Sequence, residues 1–230
     1  MYESVTVLNP AEHAEFRFKA HEDFLFAKDL AVIPITFSEL KELCCRFPIV
    51  VLPGETPQLA VVVAVEGKNL AIDEHGKWIG GAYVPAFLRR YPFILVKLDE
   101  EKLALGADLA SGCFSDPSGD PIFDQGKPTE FLQNTMKFLE ALEKEFQMTR
   151  LIVEGWKEAQ ILEPAQLTVR RGEEEKKIGG FMRIDREKFT SLDDDLLVSW
   201  VRRGIVDLIV LHELSLRNFA AFATHEEKGN

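Results

Sequence analysis

Residues 31–52, AVIPITFSELKELCCRFPIVVL, decide how this chain folds, because three local signals follow one another there without a gap. The run opens apolar, as a strand does, and reaches Thr36 and Glu39, which have the spacing of a capping box. In that motif a hydroxyl and a carboxylate each close a free backbone N–H at a helix start. Phe37, Leu40, Leu43 and Cys44 then recur at helical intervals, until Pro48 stops the helix before the apolar run 49–52. The stretch therefore predicts strand, short helix, strand.

The same grammar returns at residues 82–98, AYVPAFLRRYPFILVKL. An apolar-proline entry at Val84-Pro85 leads into a helical turn, and Arg90-Tyr91-Pro92 leads into an apolar strand, matching Arg46-Phe47-Pro48 before it. The two prolines are 14 residues apart in the first copy and 7 in the second, a difference of about two helical turns. An internal echo and a coincidence of turn chemistry are both compatible with this pattern.

Outward from these copies the punctuation is mostly that of hairpins and helix caps. Asn9-Pro10-Ala11-Glu12 reads as a capped helix start ending at His13. Phe16 and Phe18, then Phe24 and Phe26, alternate with polar neighbours as half-buried strands do. The apolar run 59–65, residues 69–72 and Lys77-Trp78-Ile79 read as strands turning at Glu66-Gly67 and at Asp73-Glu74-His75-Gly76. Residues 111–127 are loop-like and divide a sheet-rich part, 1–110, from a helical part, 128–223. From Thr129, the residues Phe131, Leu132, Thr135, Phe138, Leu139, Leu142 and Phe146 form one amphipathic stripe. Residues 151–161 continue that helix or make a second one, with Pro164 as the stop. A small hairpin is expected near 166–184, turning at Arg171-Gly172-Glu173, with Gly179 and Gly180 weakening its second strand or marking a close backbone approach. Ser191 is expected to cap a helix that ends at Gly204. A last helix, 205–222, carries Leu208, Leu211, His212, Ser215 and Phe219 on one stripe, before a polar tail from Thr224. The fold class is α+β: a mainly antiparallel, sheet-rich N-terminal part packed on C-terminal helices, making one unit over 1–230.

Composition excludes several function classes. With 27 basic and 38 acidic side chains the formal charge is −11, which opposes nucleic-acid and anionic-membrane binding. No apolar run approaches the roughly 20 residues of a membrane span, and the start MYESVTVLNPAEH lacks the basic and apolar regions of a secretory signal. Three cysteines, Cys44, Cys45 and Cys113, provide neither a disulfide framework nor a zinc spacing, so a cytoplasmic location is expected. No cofactor fingerprint is present, and no metal or catalytic set is assigned.

The residues with chemical potential are few. His21 and Asp23 have the spacing of part of a two-histidine, one-carboxylate iron site, with His75 or His212 as a distant third ligand. That signal is weak, and the simpler reading is a polar turn before a Phe-rich strand. Cys113 in its loop is the more exposable thiol, whereas Cys44 sits on an apolar stripe. His212 on the last helix reads as a hydrogen-bonded core histidine. Arg89 and Arg90 are different: adjacent helical residues diverge by about 100°, so one points inward and one outward among Trp78, Tyr83 and Tyr91. An inward arginine calls for a carboxylate, and Asp73 and Asp108 are the candidates. An outward one offers a planar fork for a carboxylate, phosphate or peptide carbonyl.

These motifs together resemble the SapC family. The likeness runs through Leu8-Asn9-Pro10 with His13, Phe24-Leu25-Phe26-Ala27, Ile33-Pro34, Phe47-Pro48-Ile49-Val50 and Gly67-Lys68-Asn69-Leu70. It continues in Asp73 with Gly76 and Trp78, in YVPAFLRRYPF, in Phe123 with Gly126, and in Gly180-Phe181 and Ile184-Asp185. It ends in Gly204 and His212 with Ser215-Leu216. Val210 stands where the family tends to carry tyrosine. The resemblance implies no enzymatic activity of record and an association with peptide-modifying oxygenases or halogenases. The leading expectation is a cytoplasmic binding or accessory protein, linked to peptide modification, that recognises a protein, peptide or small anionic ligand. Its ligand-binding residues would be Arg89, Arg90, Trp78, Tyr83 and Asn69. The competing expectations are a metal-dependent peptide-modifying enzyme using His13, His21, Asp23 or His212, and a purely structural interaction module.

Overall fold

The computed structural model describes residues 1–65, 67–99, 102–171 and 174–220. In chain order the N-terminal elements are β1 (Val5–Val7), α1 (Pro10–His13), β2 (Arg17–Phe18) and β3 (Val32–Pro34). A 3-10 turn, Phe37–Glu39, then runs into α2 (Leu40–Leu43), followed by β4 (Ile49–Leu52), β5 (Gln58–Val62), β6 (Ala64–Val65) and β7 (Lys68–Asn69). Next come α3 (Ala86–Arg89), β8 (Phe93–Lys97), β9 (Leu103–Asp108) and three two-residue strands, β10 (Asp120–Pro121), β11 (Phe123–Asp124) and β12 (Lys127–Pro128). The C-terminal elements are α4 (Glu130–Glu158), β13 (Leu162–Arg171), β14 (Glu174–Ile184), α5 (Arg186–Thr190), α6 (Asp194–Arg202) and α7 (Ile205–Leu216). The α+β class is observed, with antiparallel pairing throughout the described ladders.

Two sheets carry the architecture. The larger has strand order β13-β14-β4-β5-β3, and the smaller has β1-β9-β8. The C-terminal hairpin is thus no separate appendage: β14 pairs with β4 through Met182 and Val51, extending the N-terminal sheet. Strand β4 would otherwise leave a row of N–H and C=O groups unpaired, and the hairpin covers that edge. The turn residues 172–173 lie outside the described residues. Opposite Gln166, the ladder skips from Leu167↔Ile178 to Ala165↔Phe181, so Gly179 and Gly180 together face one residue. That is a β-bulge, and Gly180 takes φ +90°, which a side chain strongly disfavours.

The main core gathers Ile33, Ile35, Leu40, Leu43, Phe47, Ile49, Leu59, Val61, Trp156 and Ile209 between the larger sheet and helices α4 and α7. Full burial of such side chains contributes about 1.5–3 kcal/mol each. A second core joins Phe93, Leu95 and Leu105 of the smaller sheet to Leu132, Phe138 and Leu139 of α4. The long helix therefore bridges both. It is also pinned to the first strand-helix-strand unit, where Thr149 Oγ1 accepts a hydrogen bond from Phe37 N at 2.9 Å.

The capping box at Thr36 and Glu39 is present, and Asn9 caps α1 by accepting from Glu12 N. Four expectations need correction. Phe24 and Phe26 are not in a strand: Asp23 Oδ1 accepts from Leu25 N at 2.9 Å and turns the chain into a 3-10 segment, Leu25–Ala27. The long helix runs unbroken to Glu158 and ends before Pro164, at Gln160 in the left-handed region, φ +57°. Pro164 sits instead in β13, an edge strand, where its missing N–H costs no ladder bond. Ser191 closes α5, donating to Glu187 O, while Asp193 caps α6 by accepting from Asp195 N. The last helix is shorter than expected; its fully buried stripe includes Ile209, His212 and Ser215, with Leu208 and Leu211 only half-buried. The polar tail from Thr224 lies outside the described residues.

Candidate functional site

Helix α3 exists because its first turn is capped from a distance. Glu39 is 3% exposed; its Oε2 accepts from Thr36 N at 2.9 Å, and its Oε1 accepts from Ala86 N at 2.7 Å. One buried carboxylate thereby starts both short helices and fixes where α3 ends. That end carries Arg89 and Arg90 in diverging directions.

Arg89 lies on the exposed side. Its Nε donates to Val84 O at 3.1 Å and its Nη2 donates to the Tyr83 hydroxyl at 2.7 Å. The guanidinium sits 5.2 Å from the Tyr83 ring centre and 5.7 Å from that of Phe138 on α4. Burial raises the Tyr83 pKa and the Glu39 charge adds to this, against the opposing pull of Arg89, so the phenol stays protonated.

Arg90 is half-buried, with its guanidinium 4.3 Å from the Phe87 ring centre and 5.8 Å from that of Tyr2. Its Nε is buried and has no hydrogen-bond partner. The side chain borders a cavity of about 180 Å³ lined by Ile94, Leu95, Leu139, Leu142 and Glu143. Glu143 is already engaged, accepting from Arg150 Nη2 at 2.9 Å and from Gln147 Nε2 at 3.3 Å.

Neither expected carboxylate reaches the arginines. Asp73 Oδ1 instead accepts from His75 N and Lys77 N within its own hairpin turn. Asp108 is fully buried and accepts from Glu3 N, Ser4 N, Ala110 N and the Tyr91 hydroxyl. Burial pushes its carboxyl up, but those hydrogen bonds outweigh burial and hold it below its ordinary value. Among the described residues, both arginines are held by aromatic rings rather than by ion pairs.

Asn69 and Trp78 belong to the fold around this site. Asn69 Nδ2 donates to Ala27 O and Leu30 O, and its Oδ1 accepts from Ala71 N. Trp78 packs against Phe24 and Phe47. Neither hydrogen-bonds to or stacks on Arg89 or Arg90. The structure joins Arg89 with Tyr83, and it places Arg90 one residue further on, facing the cavity.

The residues of the enzyme reading are scattered. His13 is buried, with its Nδ1 accepting from Asn9 N at 3.1 Å. His21 stacks on Tyr91, and Asp23 caps Leu25. His212 is fully buried; its Nε2 accepts from Ile184 N at 3.2 Å, and burial together with the charge of Arg183 lowers its pKa to about 4. Among the described residues, no three His, Cys, Asp or Glu side chains gather where a metal ion could be held. Cys113 is buried rather than exposable, and burial pushes both its thiol and that of Cys44 up, away from thiolate.

The SapC family model matches residues 8–222. The chain belongs to the SapC family. No curated protein matches this SapC chain, and no solved structure matches it. No described helix is long and apolar enough to cross a membrane.

Sequence reasoning missed the partners that give the SapC arginines their setting. Phe138, Leu139 and Leu142 were legible as the apolar stripe of α4, but nothing local assigns that stripe to Arg89 and Arg90. Tyr2 and Phe87 were not singled out. Glu39 was read as a local cap, and its second bond, to Ala86 N, is purely tertiary.

Proposed function

We propose that this SapC protein is a binding or accessory protein that recognises a peptide or small anionic ligand at the α3–α4–β8 seam, through Arg89, Arg90 and Tyr83. Asn69 and Trp78 support that seam from the core. One observation carries this reading: in a chain of charge −11, two adjacent guanidinium groups stand without a carboxylate partner among the described residues, held in place by aromatic rings. A guanidinium so held keeps donors for an incoming carboxylate or phosphate, in Arg89 those beyond its bonds to Val84 O and Tyr83, and loses little side-chain freedom on binding. The three cysteines are free, which suits action in the cytoplasm, and the acidic balance directs the site away from nucleic acid. The link to peptide modification is what the family resemblance implies, and a site for peptide carboxylates and carbonyls is compatible with it.

The test uses an array of synthetic acidic and neutral peptides probed with wild-type protein, Arg89→Ala and Arg90→Ala. Both variants are expected to unfold at nearly the wild-type temperature while losing about tenfold or more of the peptide signal. If both variants collapse instead, the arginines are buttresses and the seam is not a binding site. Unchanged peptide binding in folded variants would be equally damaging.

A further inference from the structure

We infer that β8 is a docking edge for the C-terminus of an extended peptide, which pairs with Leu95, places an apolar last side chain in the cavity and sets its terminal carboxylate on Arg90. This inference rests on the reading of Arg90 as a ligand-binding residue.

The argument begins with which way the β8 backbone points. Asp108 N donates to Pro92 O at 3.0 Å and Leu98 N donates to Lys102 O at 2.9 Å. In an antiparallel ladder hydrogen-bonded pairs alternate, so Ile94 and Val96 face Gly106 and Ala104 of β9 with their N–H and C=O groups. Phe93, Leu95 and Lys97 therefore direct theirs to the other side, where β8 has no neighbouring strand among the described residues. Phe93 is satisfied within the chain: its N–H donates to Arg90 O and its carbonyl accepts from the Tyr2 hydroxyl. For the N–H and C=O of Leu95, no partner exists among the described residues.

The first strand-helix-strand unit supplies an internal comparison. Its strand β4 is paired on both sides, by β5 and by β14 of the chain's own hairpin. The equivalent strand of the second unit, β8, is paired on one side only. Local grammar is shared, and the second neighbour is what differs.

Three features at that open edge select the occupant. Leu95 presents one donor and one acceptor, the requirement of strand addition. A cavity of about 180 Å³ lined by Ile94, Leu95, Leu139 and Leu142 opens at the same place, large enough for one apolar side chain, given that roughly 150 Å³ holds benzene. Arg90, whose Nε is buried and has no hydrogen-bond partner, is one of the residues that line that cavity. A single residue that carries both an apolar side chain and a carboxylate meets both demands, and in a peptide that residue is the last one. Glu143 on the same lining accepts from Arg150 and Gln147 and makes no hydrogen bond to Arg90, so the guanidinium is not taken up by it.

The experiment compares two labelled hexapeptide libraries ending in Leu, Ile or Phe, one with a free carboxylate and one amidated, binding to the full chain. The free-carboxylate library is expected to bind at least about tenfold tighter, and Arg90→Gln is expected to erase that preference. On binding, exchange of the Leu95 and Lys97 amide hydrogens is expected to slow about tenfold or more, whereas the Ile94 and Val96 amides, already in the ladder, hardly change. As a second perturbation, Leu95→Pro removes an outward-facing N–H without breaking a β8–β9 ladder bond, together with the leucine side chain that lines the cavity, and is expected to abolish binding of a peptide that the wild type holds. Should that variant fail to fold, the exchange pattern decides alone. Arg90-dependent peptide binding with unaltered Leu95 exchange would overturn strand addition and leave the binding function standing. Equal binding of both libraries would overturn recognition of the terminal carboxylate. Binding of neither library would refute the docking edge, and the arginine variants on the acidic peptide array would then decide the binding function separately.

Discussion

Lowering the pH should weaken this fold through His212 before the depressed carboxyls lose their contribution. The imidazole is completely buried beside Trp156, accepts a hydrogen bond from Ile184 N, and faces the positive charge of Arg183 across the sheet. Its pKa falls from 6.5 to about 4 in the folded chain, so between those values the unfolded chain binds the extra proton and the native chain does not. Stability is thus complete above about pH 6.5, declines as the pH falls towards 4, and levels off below it. From the two pKa values the loss is ~2 kcal/mol between about pH 7 and pH 5, rising to ~3 kcal/mol at lower pH. That is a large share of the roughly 5–15 kcal/mol of a typical domain. The depressed carboxyls, Asp73, Asp108, Asp116 and Asp185, lose their contribution only below their ordinary value near 3.8, so the windows separate. Urea unfolding of wild type and His212→Gln across this range reads the effect, because the amide can still accept from Ile184 N but cannot titrate. The wild type should lose ~2 kcal/mol more than the variant on going from about pH 7 to about pH 5. Parallel pH dependences, or an imidazole NMR titration centred near 6.5, would refute the reasoning.

Other substitutions test individual supports of the site. Glu39→Gln replaces one of two accepting oxygens with a donor and leaves Ala86 N or Thr36 N unsatisfied, at a cost of about 2 kcal/mol or more in urea unfolding; exposed Glu42→Gln should be near neutral. Asn69→Ala leaves Leu30 O and Ala71 N without the side-chain partner, while Ala27 O keeps its bond from Leu30 N, and should cost about 2–3 kcal/mol. Gly180→Ala forces a side chain to φ +90° at the bulge and should destabilise by about 1–2 kcal/mol in the same assay. Gly155→Ala should have the opposite sign: it is helical, an added Cβ meets nothing within 4 Å, and a gain of about 0.5–1 kcal/mol is expected.

Local signals carried the reading wherever the physics was local. The capping box at Thr36, the cap at Asn9, the stop at Gly204 and the stripe of α4 each depend on residues within a few positions of one another, and each is found. The errors sit where a distant partner overrides propensity. Pro164 looked like a helix stop but is accommodated in β13 because that strand lies at a sheet edge. Ser191 lost its capping role to Asp193 because the short helix α5, unread in the sequence, ends immediately before it. In the candidate site the same division holds. That Arg89 and Arg90 diverge was legible from helical geometry, and so was Tyr83 as a neighbour of the pair. That Arg90 would rest on Phe87 and Tyr2 rather than on Asp73 or Asp108 was not, since those aspartates are occupied by backbone N–H groups of their own loops.

The repeated grammar gains a physical meaning from the way the two copies are joined. Glu39, the cap of the first helix, is also the acceptor that starts the second, so the copies share one buried charge and cannot shift independently. Position in the fold then differentiates them. The first copy's arginine, Arg46, is exposed, and its strand β4 is enclosed between β14 and β5, so it serves as scaffold. The second copy adds Arg89 before the shared arginine and sits against α4, whose Phe138, Leu139 and Leu142 supply an aromatic rest and a cavity wall. An unpaired strand edge is a liability for any protein, and the first copy shows that this chain can cover one with its own hairpin. A β8 edge that no described strand covers, beside an arginine whose Nε has no partner, is what the proposed site for an incoming strand requires, whereas scaffold alone would gain stability by closing that edge.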